Sequence, residues 1–130
     1  MGAQENAEVV RSGYEAFQKG DLAAFDNLLA DDCAWHVPGR GQLAGDKKGR
    51  QAIVEYFGQI GVLSEGTAKL ELHDLLANDE HVVGLHVLSV ERGGKAVEST
   101  VALVFHVRDG RASEVWEHSF NLHELEEIFS

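Results

Sequence analysis

The spacing of apolar residues changes near residue 64, and this change restricts the fold more than any other feature of the sequence. Before it, apolar side chains recur every three to four residues, which predicts helices over 4–19, over 22–29 and around Ile53, Phe57 and Ile60. After it, apolar and polar residues alternate with a period of two, which predicts strands over 67–76, 81–91, 96–108 and 111–120. A short helix with Leu122, Leu125 and Ile128 on one side follows. Helices followed by an antiparallel meander indicate an α+β fold.

The segment between the second and third helices is less regular. Residues 33–37 form a short predicted strand that Pro38 and Gly39 close. The glycine-rich and cationic segment from Pro38 to Lys48 is predicted to be a loop that could lie over whatever the fold encloses.

The last two predicted hairpins define which strand residues share a face of the sheet. Gly93-Gly94 and Asp109-Gly110 are turn signals, because these residues tolerate the positive φ angles of two-residue hairpin loops. With two-residue loops, His86 lies opposite Val101, and Val101 lies opposite His118. The neighbouring positions on the same face are Gly84, Leu88, Ser99, Leu103, Trp116 and Phe120, and Gly84 is expected to leave room for the Trp116 indole.

Two interpretations of this face remain open. Two histidines on an apolar face can form the floor of a pocket with two titratable groups, and an imidazole changes its protonation near neutral pH. Buried histidines can also be core residues whose polar atoms are satisfied by hydrogen bonds. Tyr14 and Trp35 occupy inward positions and are candidates for the pocket wall or for ordinary core packing.

Composition excludes several classes of protein. The 130 residues suit a single domain over 1–130, and their net charge of −11 opposes binding to nucleic acid. The single cysteine, Cys33, cannot form an internal disulfide, and the chain shows neither a secretion signal nor an apolar run of membrane-spanning length. We therefore expect a soluble cytoplasmic protein without a membrane partner.

Cofactor and metal motifs are also absent from the sequence. No phosphate-binding loop, dinucleotide fingerprint or nucleophile elbow occurs, so no organic cofactor is expected. His36 could add a third imidazole to His86 and His118, but no tight histidine spacing supports a metal site, and none is predicted. The opposite sheet face carries Leu85 and Val104 among other apolar residues, which predicts a homodimer through this outer face.

Several motifs occur in a recognisable order: Gly20-Asp21, Trp35-His36-Val37-Pro38-Gly39, Leu43-Ala44-Gly45, Gly49-Arg50-Gln51-Ala52-Ile53 and Arg108-Asp109-Gly110-Arg111. With this order of elements, the chain resembles the nuclear transport factor 2-like superfamily, in particular its SnoaL-like, or polyketide-cyclase-like, branch. The resemblance implies a cone-shaped fold in which a curved antiparallel sheet wraps around the N-terminal helices. It also implies a deep apolar pocket and a homodimer. The tail from Trp116 to Glu127 is similar to that of limonene-epoxide hydrolases, with His118 where that family has an aspartate.

These observations lead to two hypotheses from different classes. In the first, the protein binds an apolar small molecule in a deep pocket, and His86 and His118 act as general base and acid in an isomerase, cyclase or hydrolase type of reaction. The pocket residues are then Tyr14, Trp35, Leu88, Ser99, Val101, Leu103, Trp116 and Phe120. In the second, the same fold is a non-catalytic module that binds a ligand or a partner protein.

Overall fold

The computed structural model describes residues 2–130, and its helices all lie against one six-stranded sheet. In chain order the elements are α1 (Ala3–Gln18), α2 (Leu22–Asn27), β1 (Leu29–Val37), β2 (Gly45–Lys48), α3 (Arg50–Leu63), β3 (Lys69–Ala77), β4 (His81–Arg92), β5 (Lys95–Arg108), β6 (Arg111–Ser119) and α4 (Leu122–Ile128). The strand order is β2-β1-β6-β5-β4-β3, with β1 and β6 parallel and all other neighbours antiparallel. The sheet is curved and open, and the predicted α+β class is confirmed.

The N-terminal helices form because their apolar residues recur at helical spacing and their ends carry suitable signals. In α1, Asn6, Val10 and Tyr14 lie four residues apart and are all buried. Gly20 ends this helix region with a φ of +72°, a conformation that residues with a Cβ adopt at a cost. Asp21 then caps α2, because its side chain accepts a hydrogen bond from the Ala24 backbone N–H at 3.1 Å. The predicted break between the first two helices, at residues 20–21, is confirmed.

The predicted loop from Pro38 to Lys48 is only partly correct. Its last four residues form β2, which pairs antiparallel with β1, so that His36 lies opposite Asp46. This strand has no apolar alternation, because most of its residues are exposed and backbone hydrogen bonds hold it to the edge of the sheet. Sequence periodicity therefore could not detect it.

The first hairpin has the predicted register and the second does not. His86 lies opposite Val101, as expected. Between β5 and β6, Val107 lies opposite Ala112 but His106 lies opposite Glu114, so Ser113 is an extra residue in β6. This is a β-bulge, and it shifts every later residue of β6 by one position.

The bulge corrects the predicted placement of two residues on β6. His118 lies opposite Ala102, and Trp116 lies opposite Val104, so both belong to the outer face of the sheet. Glu117 lies opposite Leu103 and faces the helices instead. The prediction that His86, Val101 and His118 form one row is therefore wrong, because the inserted residue exchanges the two faces of the strand.

The core fills the space between the helices and the inner face of the sheet. Aromatic rings from four elements meet there: Phe25 lies 6.2 Å from Trp35 and 5.0 Å from Phe57, measured between ring centroids. Trp35 also contacts Phe105 of β5 at 6.1 Å. Among residues 2–130, no helix has the length and apolar character that crossing a bilayer requires.

Candidate functional site

A cavity lies inside the fold, between the helices and the inner face of the sheet. Its volume is about 120 Å³. Apolar cavities of comparable size admit one aromatic ring. Six of the residues predicted to form the site line this cavity: Tyr14, Trp35, His86, Leu88, Val101 and Leu103.

Four predicted site residues lie outside the cavity. His118 is exposed on the outer face, and Trp116 stacks there on His36 with ring centroids 5.8 Å apart. The side chain of Phe120 follows the end of β6 and is 84% exposed. Ser99 is buried, but its hydroxyl oxygen accepts a hydrogen bond from the Asn121 backbone N–H at 2.9 Å, next to the start of α4.

Glu117 provides a carboxyl group in the wall of this largely apolar cavity. The Trp35 indole N–H donates a hydrogen bond to its Oε1 at 3.0 Å, and the Tyr56 hydroxyl lies 3.0 Å from both carboxyl oxygens. Burial raises the pKa of Glu117, and the two donors and the charge of Lys47 oppose this shift only in part. The carboxyl group thus keeps its proton at a higher pH than an ordinary glutamate does.

Glu117 and its two hydrogen-bond donors come from three separate elements. Trp35 lies on β1, which runs parallel to β6, and Tyr56 lies on α3. Tyr56 was not selected from the sequence, although it lies three residues after Ile53 and four before Ile60, on the buried side of that helix. The helical spacing that identified Ile53 and Ile60 therefore also marked Tyr56 as an inward residue.

The cavity also contains a hydrogen-bonded pair of side chains, Tyr14 and His86. The Tyr14 hydroxyl lies 2.8 Å from Nδ1 of His86, and the rings meet edge to face. Burial lowers the pKa of His86 to about 4, so its imidazole is neutral at pH 7. Burial, and secondarily the charge of Glu117, raises the pKa of Tyr14, which stays a protonated phenol.

Gly84 makes the position of Tyr14 possible. A Cβ at residue 84 would lie 2.5 Å from the Tyr14 hydroxyl oxygen and 2.8 Å from a ring carbon. The space beside Gly84 therefore holds Tyr14 from α1 and not the Trp116 indole, which corrects the expectation from the sequence.

The loop before β2 lies against the C-terminal helix and contributes to the cavity wall. The Glu126 carboxylate accepts hydrogen bonds from the backbone N–H groups of Arg40, at 2.6 Å, and Gly41. The Gln42 side-chain amide donates to the Phe129 carbonyl oxygen at 2.5 Å. Because Gly41, Gln42 and Glu126 all line the cavity, this part of the loop and α4 form one of its walls.

The ionisable groups that could hold a metal lie elsewhere. Within residues 2–130, one set of three such side chains comes close enough to share an ion, namely Glu80, His81 and His106 on the outer face. His36 is distant from His86, and its two ring nitrogens contact Asp46 at 2.7 Å and Glu114 at 2.6 Å. These carboxylates raise the pKa of His36.

Comparison with known proteins identifies the family. Residues 10–115 match the model of the SnoaL-like domain, so the chain belongs to the SnoaL-like family. An uncharacterized protein of Mycobacterium tuberculosis (strain ATCC 25618 / H37Rv) is 32% identical over 118 residues, which cover 90% of each chain. Solved structures described as NTF2-like share the fold, which confirms the resemblance noted from the sequence.

Two solved structures illustrate the similarity. Bal32a, from a soil-derived mobile gene cassette, is 40% identical, covers 98% of each chain and superposes with a TM-score of 0.94. A putative polyketide cyclase from Xanthomonas campestris pv. campestris is 25% identical, also covers 98% of each chain and has a TM-score of 0.75.

Proposed function

We propose that the protein binds an apolar ring compound with a carbonyl group in the cavity and that Glu117 exchanges a proton with it. The observation that carries this proposal is a carboxyl group with a raised pKa in the wall of an otherwise largely apolar cavity. A carboxyl group whose pKa is raised toward neutrality is a more effective general base than an ordinary one. The SnoaL-like family and the similarity to a putative polyketide cyclase support an isomerase or cyclase type of reaction.

The proposed reaction begins with the removal of one proton from the ligand and ends with the return of that proton to the product. The Glu117 carboxylate removes a proton from the carbon next to the carbonyl group. The C–H electron pair forms a carbon–carbon double bond, and the C=O π pair moves to the oxygen, which gives an enolate. The protonated carboxyl group then returns its proton to a different carbon, which gives an isomer, or the enolate carbon attacks a second carbonyl carbon and closes a ring. In the second case the new alkoxide takes the proton from Glu117, so the enzyme returns to its starting state.

Tyr14 and His86 are proposed to hold the carbonyl oxygen of the ligand. Because His86 is neutral, the pair offers hydrogen bonds and no positive charge. When the Tyr14 hydroxyl donates to Nδ1, the other ring nitrogen carries the hydrogen and can donate to the ligand oxygen. Donors that face a developing enolate oxygen in a site shielded from water stabilise it more than they stabilise the ketone. In this proposal His86 is a hydrogen-bonding group, and Glu117 replaces His118 as its partner in the chemistry.

Deuterium incorporation tests this function without knowledge of the natural substrate. Ring ketones with one to two rings are incubated with the protein in D₂O, and proton NMR follows the loss of the signal next to the carbonyl group. We expect at least one ketone to exchange faster than in buffer, and the His118→Gln variant to behave like the wild type because residue 118 lies on the outer face. Binding without exchange for every ketone would favour the non-catalytic ligand-binding module, and an absence of both would contradict the proposal.

We also propose that the outer face of the sheet packs against a second copy of the chain. This face carries partly exposed Val83, Leu85 and Val104, and the exposed Phe120 lies beside it. An apolar surface of this kind is typical of an interface between proteins.

Sedimentation velocity tests the proposed dimer. We expect the wild type to sediment as a dimer and Leu85→Arg as a monomer, because an unpaired charge in an apolar interface is strongly unfavourable. Gln4→Arg adds the same charge at an exposed position of α1 and is the matched control. A monomeric wild type, or a Leu85→Arg variant that stays dimeric, would exclude this interface.

A further inference from the structure

We propose that Glu80, His81 and His106 bind a divalent transition-metal ion on the outer face of the sheet. One ligand atom from each side chain lies within 4.8 Å of the other two. His81 and His106 are direct cross-strand partners on β4 and β5, with ring centroids 5.3 Å apart. Two imidazoles and a carboxylate form a ligand set that suits zinc, with a fourth position left for water.

The hydrogen bonding of His106 is compatible with this assignment. The Ser113 hydroxyl donates to the backbone carbonyl oxygen of His106 at 3.1 Å. The Ser113 hydroxyl oxygen also lies 2.7 Å from Nδ1 of His106, and it accepts from Nδ1–H when both contacts are hydrogen bonds. In that tautomer Nε2 carries the lone pair that a metal ligand requires. A hydrogen bond from the second ring nitrogen is the usual support of such a ligand.

The β-bulge residue lies beside His106. Ser113 is the extra residue of β6, and its hydroxyl oxygen lies 2.7 Å from Nδ1 of His106. Glu114, which lies opposite His106, is engaged elsewhere, because its Oε2 lies 2.6 Å from Nε2 of His36. The Glu114 carboxylate is therefore held by another residue, and Glu80 is the carboxylate of the proposed site.

The third ligand, Glu80, has a hydrogen-bonded backbone and an exposed side chain. The Asn78 side-chain oxygen accepts hydrogen bonds from the backbone N–H groups of Glu80 and His81, at 2.9 and 2.7 Å. The Glu80 carbonyl oxygen accepts a hydrogen bond from the Val107 N–H at 3.0 Å, which ties the turn to β5. Glu80 is exposed, so its carboxylate can rotate toward the histidines.

Metal binding requires only a modest contraction of the cluster. Zinc ligands at about 2.0–2.1 Å in a tetrahedron lie roughly 3.4 Å from one another. Rotation of the Glu80 side chain and small changes in the orientation of the His81 ring can bring the three ligand atoms to this distance from one another. The net charge of −11 raises the concentration of cations near the surface and favours the same outcome.

Calorimetric titration of the protein with zinc chloride, after treatment with a chelator and dialysis, tests the proposal. We expect one zinc ion per chain in the wild type. His81→Ala and His106→Ala should each weaken binding by at least tenfold, and Ser113→Ala by about 10- to 100-fold, because that hydroxyl orients a ligand. His123→Ala removes an exposed histidine of α4 and should change nothing.

Nitrogen-15 NMR of the imidazoles supplies a second readout that does not depend on the folding of the variants. In the wild type, zinc should shift the nitrogen-15 signals of Nε2 of His106 and of a ring nitrogen of His81, and should leave the signals of His123 unchanged. Circular dichroism and sedimentation verify that the variants keep their fold and oligomeric state. Wild-type affinity in both histidine variants, or zinc-induced shifts confined to other histidines, would overturn the proposal.

Discussion

Replacing Glu117 with glutamine is expected to lower the rate of proton exchange on a bound ring ketone by a factor of about 10² to 10⁴, the usual contribution of a general base. Glutamine has nearly the same shape, and its amide oxygen can still accept hydrogen bonds from Trp35 and Tyr56. It cannot take up the proton of the ligand, however. Proton NMR in D₂O measures the exchange, and fluorescence titration verifies that the ketone still binds.

Glu117→Ala is the informative contrast, because it removes the acceptor as well as the base. Trp35 is 2% exposed and Tyr56 is 4% exposed, so both donors would remain buried without a partner. Each such group costs about 1–3 kcal/mol, and the alanine variant should lose roughly 2–6 kcal/mol of its free energy of unfolding. The glutamine variant should unfold at a urea concentration near that of the wild type. Exchange at the wild-type rate in Glu117→Gln would exclude Glu117 as the base.

The free energy of unfolding is expected to fall by about 3 kcal/mol between pH 6.5 and pH 4 through His86 alone. Burial lowers the pKa of His86 to about 4 in the folded protein, whereas the unfolded chain takes up this proton near pH 6.5. Between these values the unfolded state binds more protons, so acidification favours it. The contribution is complete above pH 6.5 and is lost as the pH falls to 4.

Urea unfolding at several pH values measures this contribution when the wild type is compared with His86→Gln. The difference in stability between the two proteins should shrink by about 3 kcal/mol from pH 7 to pH 4, because only the wild type carries the titrating ring. The contribution of Glu117 to the free energy of unfolding has the opposite sign, because its raised pKa makes the stability fall as the pH rises. This contribution is common to both proteins, so it does not affect the difference between them. His123→Gln is the matched control at an exposed position. A difference that stays constant with pH would contradict the account of a neutral, buried His86.

The parts of the fold that local spacing determines could be predicted from the sequence. The helical and alternating patterns predicted the order of the main elements, and the Gly93-Gly94 turn predicted that His86 lies opposite Val101. Inward positions on regular elements followed from the same patterns, which is why Tyr14 and Trp35 were candidates for the pocket wall or for core packing; both line the cavity. The same register also places His81, the first residue of the predicted strand over 81–91, opposite His106, although this pair was not identified from the sequence.

The site itself depends on one inserted residue that no turn signal marks. The Asp109-Gly110 turn was assigned correctly, and the irregularity begins only three residues later, at Ser113. One signal near it was available in the sequence: Ala112 and Val115 are both apolar and three residues apart, and strict alternation does not place two such residues on one face. A register that buries Val115 also turns Glu117 inward, next to Trp35.

The most direct test of the central claim is a pH titration of the Glu117 carboxyl group by carbon-13 NMR, with the signal assigned by its absence in Glu117→Gln. The account predicts a midpoint above the ordinary glutamate value of about 4.3, because burial favours the protonated form. It also predicts that a ring ketone which exchanges its protons shifts this signal and the His86 signals, and leaves those of His118 unchanged. An ordinary midpoint with no response of Glu117 to any such ketone would contradict the assignment of this carboxyl group as the proton-exchanging residue.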